Sequence, residues 1–319
     1  MTLKDIYEFA VKEGINADPR GKVAVKKSLL RIKKFYQQLN KKAKDEFDIE
    51  RFFNPYSDTR ILFGKPEQKV KTILLGIDIG GAELLLADKL NQRGEKIDLV
   101  MSHHPQGKAL AGLAEVMDIH SEILKNLGVP ISVAESLMAE RIAEVKRKVM
   151  PANHRRAVDI ARLLNLPFIC CHTVADNHVA SYLQKLMDKE KPDTLEDVLD
   201  ILKSIPEYRQ ALQEKAGPRI IAGDAKRQAG KIFVDMTGGT EGSRDIFRKL
   251  TQAGIGTIIA MHLSEEHFRK VKAEYINVII AGHIGSDSLG LNLLLDKLQR
   301  RQRFDIIECS GFERIKKRK

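Results

Sequence analysis

The chain has 319 residues, 43% of them hydrophobic, and a formal net charge of +11. That apolar content is enough for a real core and excludes a disordered chain. No apolar run approaches the ~20 residues that a membrane-spanning helix needs. The length suits two domains, or one large α/β body with additions. The opening stretch, MTLKDIYEFAVKEG, lacks the apolar core of a signal peptide, so a cytoplasmic location is expected.

The charge is unevenly placed. Residues 19–44 hold ten Lys and Arg and no acid, and residues 314–319 hold five more. The remainder of the chain carries a small excess of acid. A nucleic-acid-binding body is therefore not expected. Basic arms at 19–44 and 314–319, holding nucleic acid or an acidic partner, are the alternative. Cys170 and Cys171 are neighbours in an apolar run, and Cys309 is far away. Adjacent strand residues point to opposite faces, so reduced core thiols are expected rather than a metal or redox clamp.

Residues 1–55 read as a basic helical extension. Leu29, Ile32, Phe35, Tyr36 and Leu39 recur at helical spacing with lysines opposite, which predicts a helix docked by its apolar face. From about residue 70 the pattern becomes strands alternating with helices. VKTILLGIDI reads as a strand, GGAELLLADKLNQRGE as a glycine turn and helix, and IDLVMS as the next strand. LPFICC, KIFVDM, GTIIAM and NVIIAG are later strands; SRDIFRKLTQAG and SEEHFRKVKAEY are helices. Continuous apolar strands separated by helices predict an α/β fold with largely parallel sheets covered on both faces. Residues 183–217 read as helices broken at Pro192 and Pro206, a connector or lid. The expected division is a first α/β half at 56–182 and a second at 218–319, around that connector. No internal repeat is visible.

Five of the nine histidines stand where a predicted strand stops: His103 and His104 after DLVMS, His172 after FICC, His262 after TIIAM and His283 after NVIIAG. Ligands of open parallel sheets bind at the carboxyl ends of strands. Two of these ends carry a carboxylate four residues on, His172 with Asp176 and His283 with Asp287. Imidazole with carboxylate suits Zn, Fe, Mn or Ni. Five such groups, three His and two Asp, are too many for one tetrahedral structural zinc. They suit two divalent ions.

The ordered motifs SHHP (102–105), HTVAD (172–176) and GHIGSD (282–287) resemble the NIF-three-like family, whose members are often described as type-two GTP cyclohydrolase I homologues. That family shows a strand ending in HHP, then an HTxxD-like segment, then GHxxxE. GIDIGGAELLLADKL and DMTGGTEGSRDIF fit its strand–helix units, and the resemblance covers roughly residues 55–319. It implies two similar α/β halves with a dinuclear metal centre between them, and often a ring-like hexamer. The implied ligands are His103, His104, Asp176, His283 and Asp287, with His172 orienting Asp176 or a substrate. His178 has no counterpart. Two departures stand out. Asp287 replaces the usual Glu and is one methylene shorter, and Met261-His262 replaces a frequent Gly-acid pair. His262 is therefore expected near the site but not among the ligands.

Thr237, Gly238 and Gly239, between a strand and a predicted helix, are a candidate anion seat. GDAKRQAGKI lacks P-loop spacing, Glu135, Glu140 and His120 fit a surface helix, and no GxSxG nucleophile motif occurs. The expected function is metal-dependent hydrolysis of a nucleotide-like or other anionic small molecule. The alternative is a non-catalytic metal-binding scaffold that holds nucleic acid or an acidic protein through its basic termini.

Overall fold

A computed structural model describes residues 1–316. The chain opens with α1 (Leu3–Ala17), α2 (Lys22–Gln38), α3 (Lys41–Asp45) and a 3-10 turn at Ile49–Phe52. Next come β1 (Thr59–Phe63), β2 (Thr72–Gly76), α4 (Gly81–Gln92) and β3 (Leu99–Ser102). A helical stretch follows: α5 (Gly107–Ala111), α6 (Leu113–Val116), α7 (Ile119–Leu127), α8 (Ile131–Val149) and α9 (Arg156–Leu163). Then β4 (Phe168–Cys171) leads into α10 (Thr173–Glu190), α11 (Leu195–Ser204) and α12 (Pro206–Gln213). The second series is β5 (Arg219–Ala222), β6 (Lys231–Asp235), α13 (Phe247–Gln252), β7 (Ile255–Ala260), α14 (Glu265–Ala273), β8 (Asn277–Ile280), α15 (His283–Gln299) and β9 (Asp305–Cys309).

The strands form two sheets, β1-β4-β3-β2-β9 and β5-β8-β7-β6. Their shared order reveals a structural repeat that the sequence hides. In each, the first strand of the series is an antiparallel edge, and the others, four in the first sheet and three in the second, run parallel. Both faces of both sheets are covered, which explains the continuous apolar strands. Ile73 and Leu75 of β2 join the large central core, while Leu74 between them packs with Leu84 and Ala87 of α4. In the second sheet Ile258 faces that central core, and Ile259 packs with Leu195 and Val198 of α11. The mixed α/β architecture with largely parallel sheets is as expected.

Three boundaries drawn from the sequence need correction. First, α1, counted within the basic helical extension, packs into the α/β body. Leu3, Ile6, Ala10 and Val11 form a buried helical stripe, and α1 packs on α10 and α15. By contrast α2 and α3 are mostly exposed. Val25 is the one fully buried residue of α2, and Phe35, expected on its docked face, is exposed. Second, β9 leaves the 218–319 half and pairs parallel with β2, Thr72 opposite Asp305 through Gly76 opposite Cys309. Third, Arg314 is no free arm residue. Its side chain is buried against Asp296 and Asn292; residues 317–319 of that basic segment lie outside the described residues. Among the described residues, no helix is long and apolar enough to cross a membrane. Cys170 and Cys171 are free and buried, and Cys309 is free and half-buried.

Candidate metal centre

Each candidate ligand sits where a strand stops. His103 and His104 follow β3 directly. Asp176 lies in the first turn of α10, just past His172 and β4. His283 and Asp287 share the first turns of α15. Between β8 and α15 the chain turns at Gly282, φ +106°, where a Cβ would fall 2.4 Å from the Ala216 carbonyl oxygen. Only glycine fits that turn.

The close packing of α10 against α15 brings the two halves' turns face to face. A Cβ on Gly290 would fall 2.5 Å from the Ala175 carbonyl oxygen, so the helices nearly touch there. This approach compensates for the short side chain of Asp287. Its Oδ1 stands 3.3 Å from His103 Nε2, and its Oδ2 stands 3.3 Å from His104 Nε2 and 3.6 Å from His283 Nε2. His103 Nε2 is also 3.4 Å from Asp176 Oδ1. All five sequence-predicted ligands thus meet at one place. His172 joins them, its Nε2 3.7 Å from Asp176 Oδ2.

These spacings exceed those of good N–H···O hydrogen bonds, ~2.7–3.2 Å. They match two atoms that share one ion: ligands each ~2.1 Å from a tetrahedral centre stand ~3.4 Å apart. The polar atoms agree. Asp176 Oδ1 and both carboxylate oxygens of Asp287 are buried without a hydrogen-bond partner, a costly state unless something else satisfies them. Among the described residues two groups have ligand atoms close enough to hold an ion, His103 with His172 and Asp176, and His103 with His104 and Asp287; His283 is in neither and meets the cluster through Asp287. The residues present therefore fit a metal.

The histidines are prepared for this role. His103 Nδ1 donates to the Cys171 carbonyl at 3.2 Å, His104 Nδ1 to Asp78 at 2.7 Å and His172 Nδ1 to Asp58 at 2.8 Å. Each bond leaves Nε2 as the ligating atom, as outer hydrogen bonds do in metal sites. Asp58 is fully buried and also accepts from Thr173 Oγ1 at 2.6 Å. Burial would lower the His103 pKa, but Asp287 and Asp176 outweigh it and hold the imidazole well above its ordinary range. Burial would raise Asp287, yet His103 and His104 hold its carboxyl far below the usual value. Burial wins at His283, which is lowered.

Sequence reasoning missed Asp58, Asp78 and Glu241. Asp78 stood at the end of a predicted strand and had the same positional signal as the histidines. Asp58 lies in a loop with no pattern to mark it, and Glu241 stood within the TGGTEG loop that was read for its glycines alone. Of the residues set aside, His120 is buried, and its Nε2 faces the carbonyls of Gly238 and Thr240 at 3.1 and 3.0 Å, which fixes the TGG loop. In that loop Thr237 Oγ1 donates to Asn177 Oδ1 at 2.7 Å. Gly238 and Gly239 adopt φ of +102° and +85°. The helix expected from residue 243 begins only at Phe247, so a helix start does not back Thr237, Gly238 and Gly239.

A cavity of about 90 Å³ adjoins the cluster. Asp176, Asp287, His283, His262, Glu241 and His267 are among the residues that line it. Glu241 Oε1 stands 3.4 Å from His262 Nδ1 and accepts from the Ser264 amide at 2.7 Å. Burial would raise Glu241, but His262 and the Ser264 amide bring it down to about 2. Glu241 in turn raises the His262 imidazole.

The fold matches a NIF3 superfamily protein from Sphaerobacter thermophilus with 28% sequence identity and a TM-score of 0.70, covering 80% of this chain and 92% of that one. Reduced HcgD from Methanocaldococcus jannaschii matches at 14% identity and a TM-score of 0.51, over 88% of this chain and 97% of that one. No family model and no curated protein matches the chain.

Proposed function

This is a NIF3-like chain, and on that footing we propose that it holds two divalent cations and uses them for hydrolysis of a small anionic molecule. His103 and Asp176 would hold one side, His104 and His283 the other, with Asp287 facing both. The observation that carries this reading is Asp287: each of its buried, unpartnered oxygens is aimed at a different histidine. A carboxylate so placed suits a bridge between ions. Bound divalent ions would supply Lewis acidity and make water acidic enough to attack at neutral pH.

The chain's own residues do the rest. Asp58, Asp78 and the Cys171 carbonyl keep the imidazoles in the ligating tautomer. Thr237 and Gly239 line the cavity beside the centre, and with Gly238 they are proposed to seat an anionic group there through loop amides rather than a helix start. The cavity of about 90 Å³ is well below the ~300–1,000 Å³ of pockets that enclose a drug-sized ligand. It takes a reacting group rather than a whole nucleotide. Ring hydrolysis of the GTP cyclohydrolase type, suggested by the family, heads the substrate classes to screen, with a ring-like hexamer as the assembly.

The test is elemental analysis of chelator-free protein beside His103→Ala and Asp287→Ala. About two metals per chain, falling in both variants, is the expected result. A screen of phosphoesters, cyclic amides and nucleotides should then show turnover that Asp176→Ala abolishes. Protein that refuses Zn, Mn, Fe and Ni would overturn the reading.

A further inference from the structure

The repeat of the two halves has a counterpart in the site. His104 is the second residue past β3, and Asp78, which holds its Nδ1 at 2.7 Å, follows β2. His262 is the second residue past β7, and Glu241, 3.4 Å from its Nδ1, lies in the loop after β6. The second half therefore also places a histidine and a carboxylate at the matching strand ends, at a longer separation than the hydrogen-bonded pair of the first. Its imidazole extends a row of rings: His172 to His103 at 4.9 Å, His103 to His104 at 5.3 Å, His104 to His283 at 5.1 Å and His283 to His262 at 4.8 Å between centroids.

His262 differs from the others in one respect. It meets none of the orphaned carboxylate oxygens at ion-pair distance among the described residues; instead it lines the cavity, with its side chain 48% exposed. Glu241 is anchored around it. It accepts from the Ser264 amide at 2.7 Å, its Oε2 faces His267 Nδ1 at 3.5 Å, and His267 Nε2 donates to the Gly242 carbonyl at 3.1 Å. An imidazole on the cavity wall beside the metal cluster, in contact with the His283 ring, is placed to touch what binds there.

We propose that His262 hydrogen-bonds, through Nε2, an oxygen of a small oxyanionic molecule seated on the metal pair, and that Glu241 is its positioning residue. This rests on the dinuclear reading above. His262 is thus a ligand-contacting residue, not a metal ligand, and the substrate class is a carboxylate- or phosphate-bearing small molecule.

The experiment is calorimetric titration of Zn-loaded protein with inorganic phosphate, with metal content measured on the same samples. His262→Ala should keep the full metal content and bind phosphate about tenfold more weakly. Glu241→Ala should weaken binding in the same direction. Glu241→Gln, which keeps an acceptor oxygen for Nδ1, should restore much of the loss, as a merely structural carboxylate would not require. Unchanged phosphate affinity in His262→Ala would overturn the proposal. So would a fall in its metal content, which would make His262 a ligand, or a failure of fully loaded wild-type protein to bind phosphate. Failure of the dinuclear reading itself is separate, because the wild-type protein would then take up no metal.

Discussion

Asp287 carries two buried oxygens with no donor bonded to either, and His103 faces it with a raised pKa. In the metal-free protein that contact is a buried ion pair, which offsets only part of its own desolvation. Cations should therefore stabilise the chain strongly. At a free Zn concentration 100 times the dissociation constant the gain is about 2.7 kcal/mol per site. We expect a rise in thermal midpoint on Zn addition, reversed by chelator and absent in Asp287→Ala; scanning calorimetry checks it. A second residue makes a pH prediction. Burial pushes His178 down to about 4; its Nδ1 donates to the Val174 carbonyl at 2.6 Å, and its Nε2 is unpartnered. Between its unfolded value near 6.5 and about 4, the unfolded chain binds a proton that the folded chain does not. Stability from this residue is complete above ~6.5 and is lost as pH falls, by about 1.4 kcal/mol per unit. Urea unfolding at pH 7 and pH 5 should show wild type losing about 2 kcal/mol more than His178→Leu. An equal loss in both would exclude His178 as the cause.

At the scale of elements, the site depends on how closely α15 lies on α10. Gly290 permits that contact: an added methyl would press on the Ala175 carbonyl oxygen at 2.5 Å, a backbone atom that cannot swing aside. Gly290→Ala should cost about 1–3 kcal/mol in overpacking. It should also weaken metal binding, because any outward shift of α15 carries His283 and Asp287 away from His103 and Asp176. Chemical unfolding together with Zn titration tests this; undiminished Zn affinity in a destabilised variant would uncouple the crossing from the site. This dependence marks what the sequence could and could not reveal. The strand-end histidines were legible because parallel strands are unbroken apolar runs, and a polar residue that ends one lies at the carboxyl edge of the sheet. The spacing of His172 with Asp176 and of His283 with Asp287 was legible for the same reason. Asp58 and Glu241 were not, since a lone carboxylate in a loop has no period to betray it. Nor was the Gly290 contact, which depends on the pairing of two helices far apart in the chain.

Across the whole molecule, the two halves are not separable at the connector. The short antiparallel edges β1 and β5 gave too little pattern to be recognised, and β9 read as the end of the second half. Instead it closes the first sheet beside β2, and Phe304 and Phe312 are buried on either side of it. Every candidate ligand lies before β9. A chain that stops after Gln302 thus keeps all the chemistry and loses only architecture: the partner of β2, two buried rings and the Arg314 bonds to Asp296 and Asn292. The bared edge of β2 is apolar and unpaired, the kind of edge that recruits other chains. We expect this truncated protein to aggregate and to hold less metal than wild type, although no ligand has been removed. A chain that stops after Lys316 should behave as wild type. Light scattering and metal content, measured on both, decide the point. Soluble, fully loaded protein ending at Gln302 would mean that the second half and the site stand without β9. Aggregation confined to that shorter chain would mean that the last strand holds together a centre it never touches.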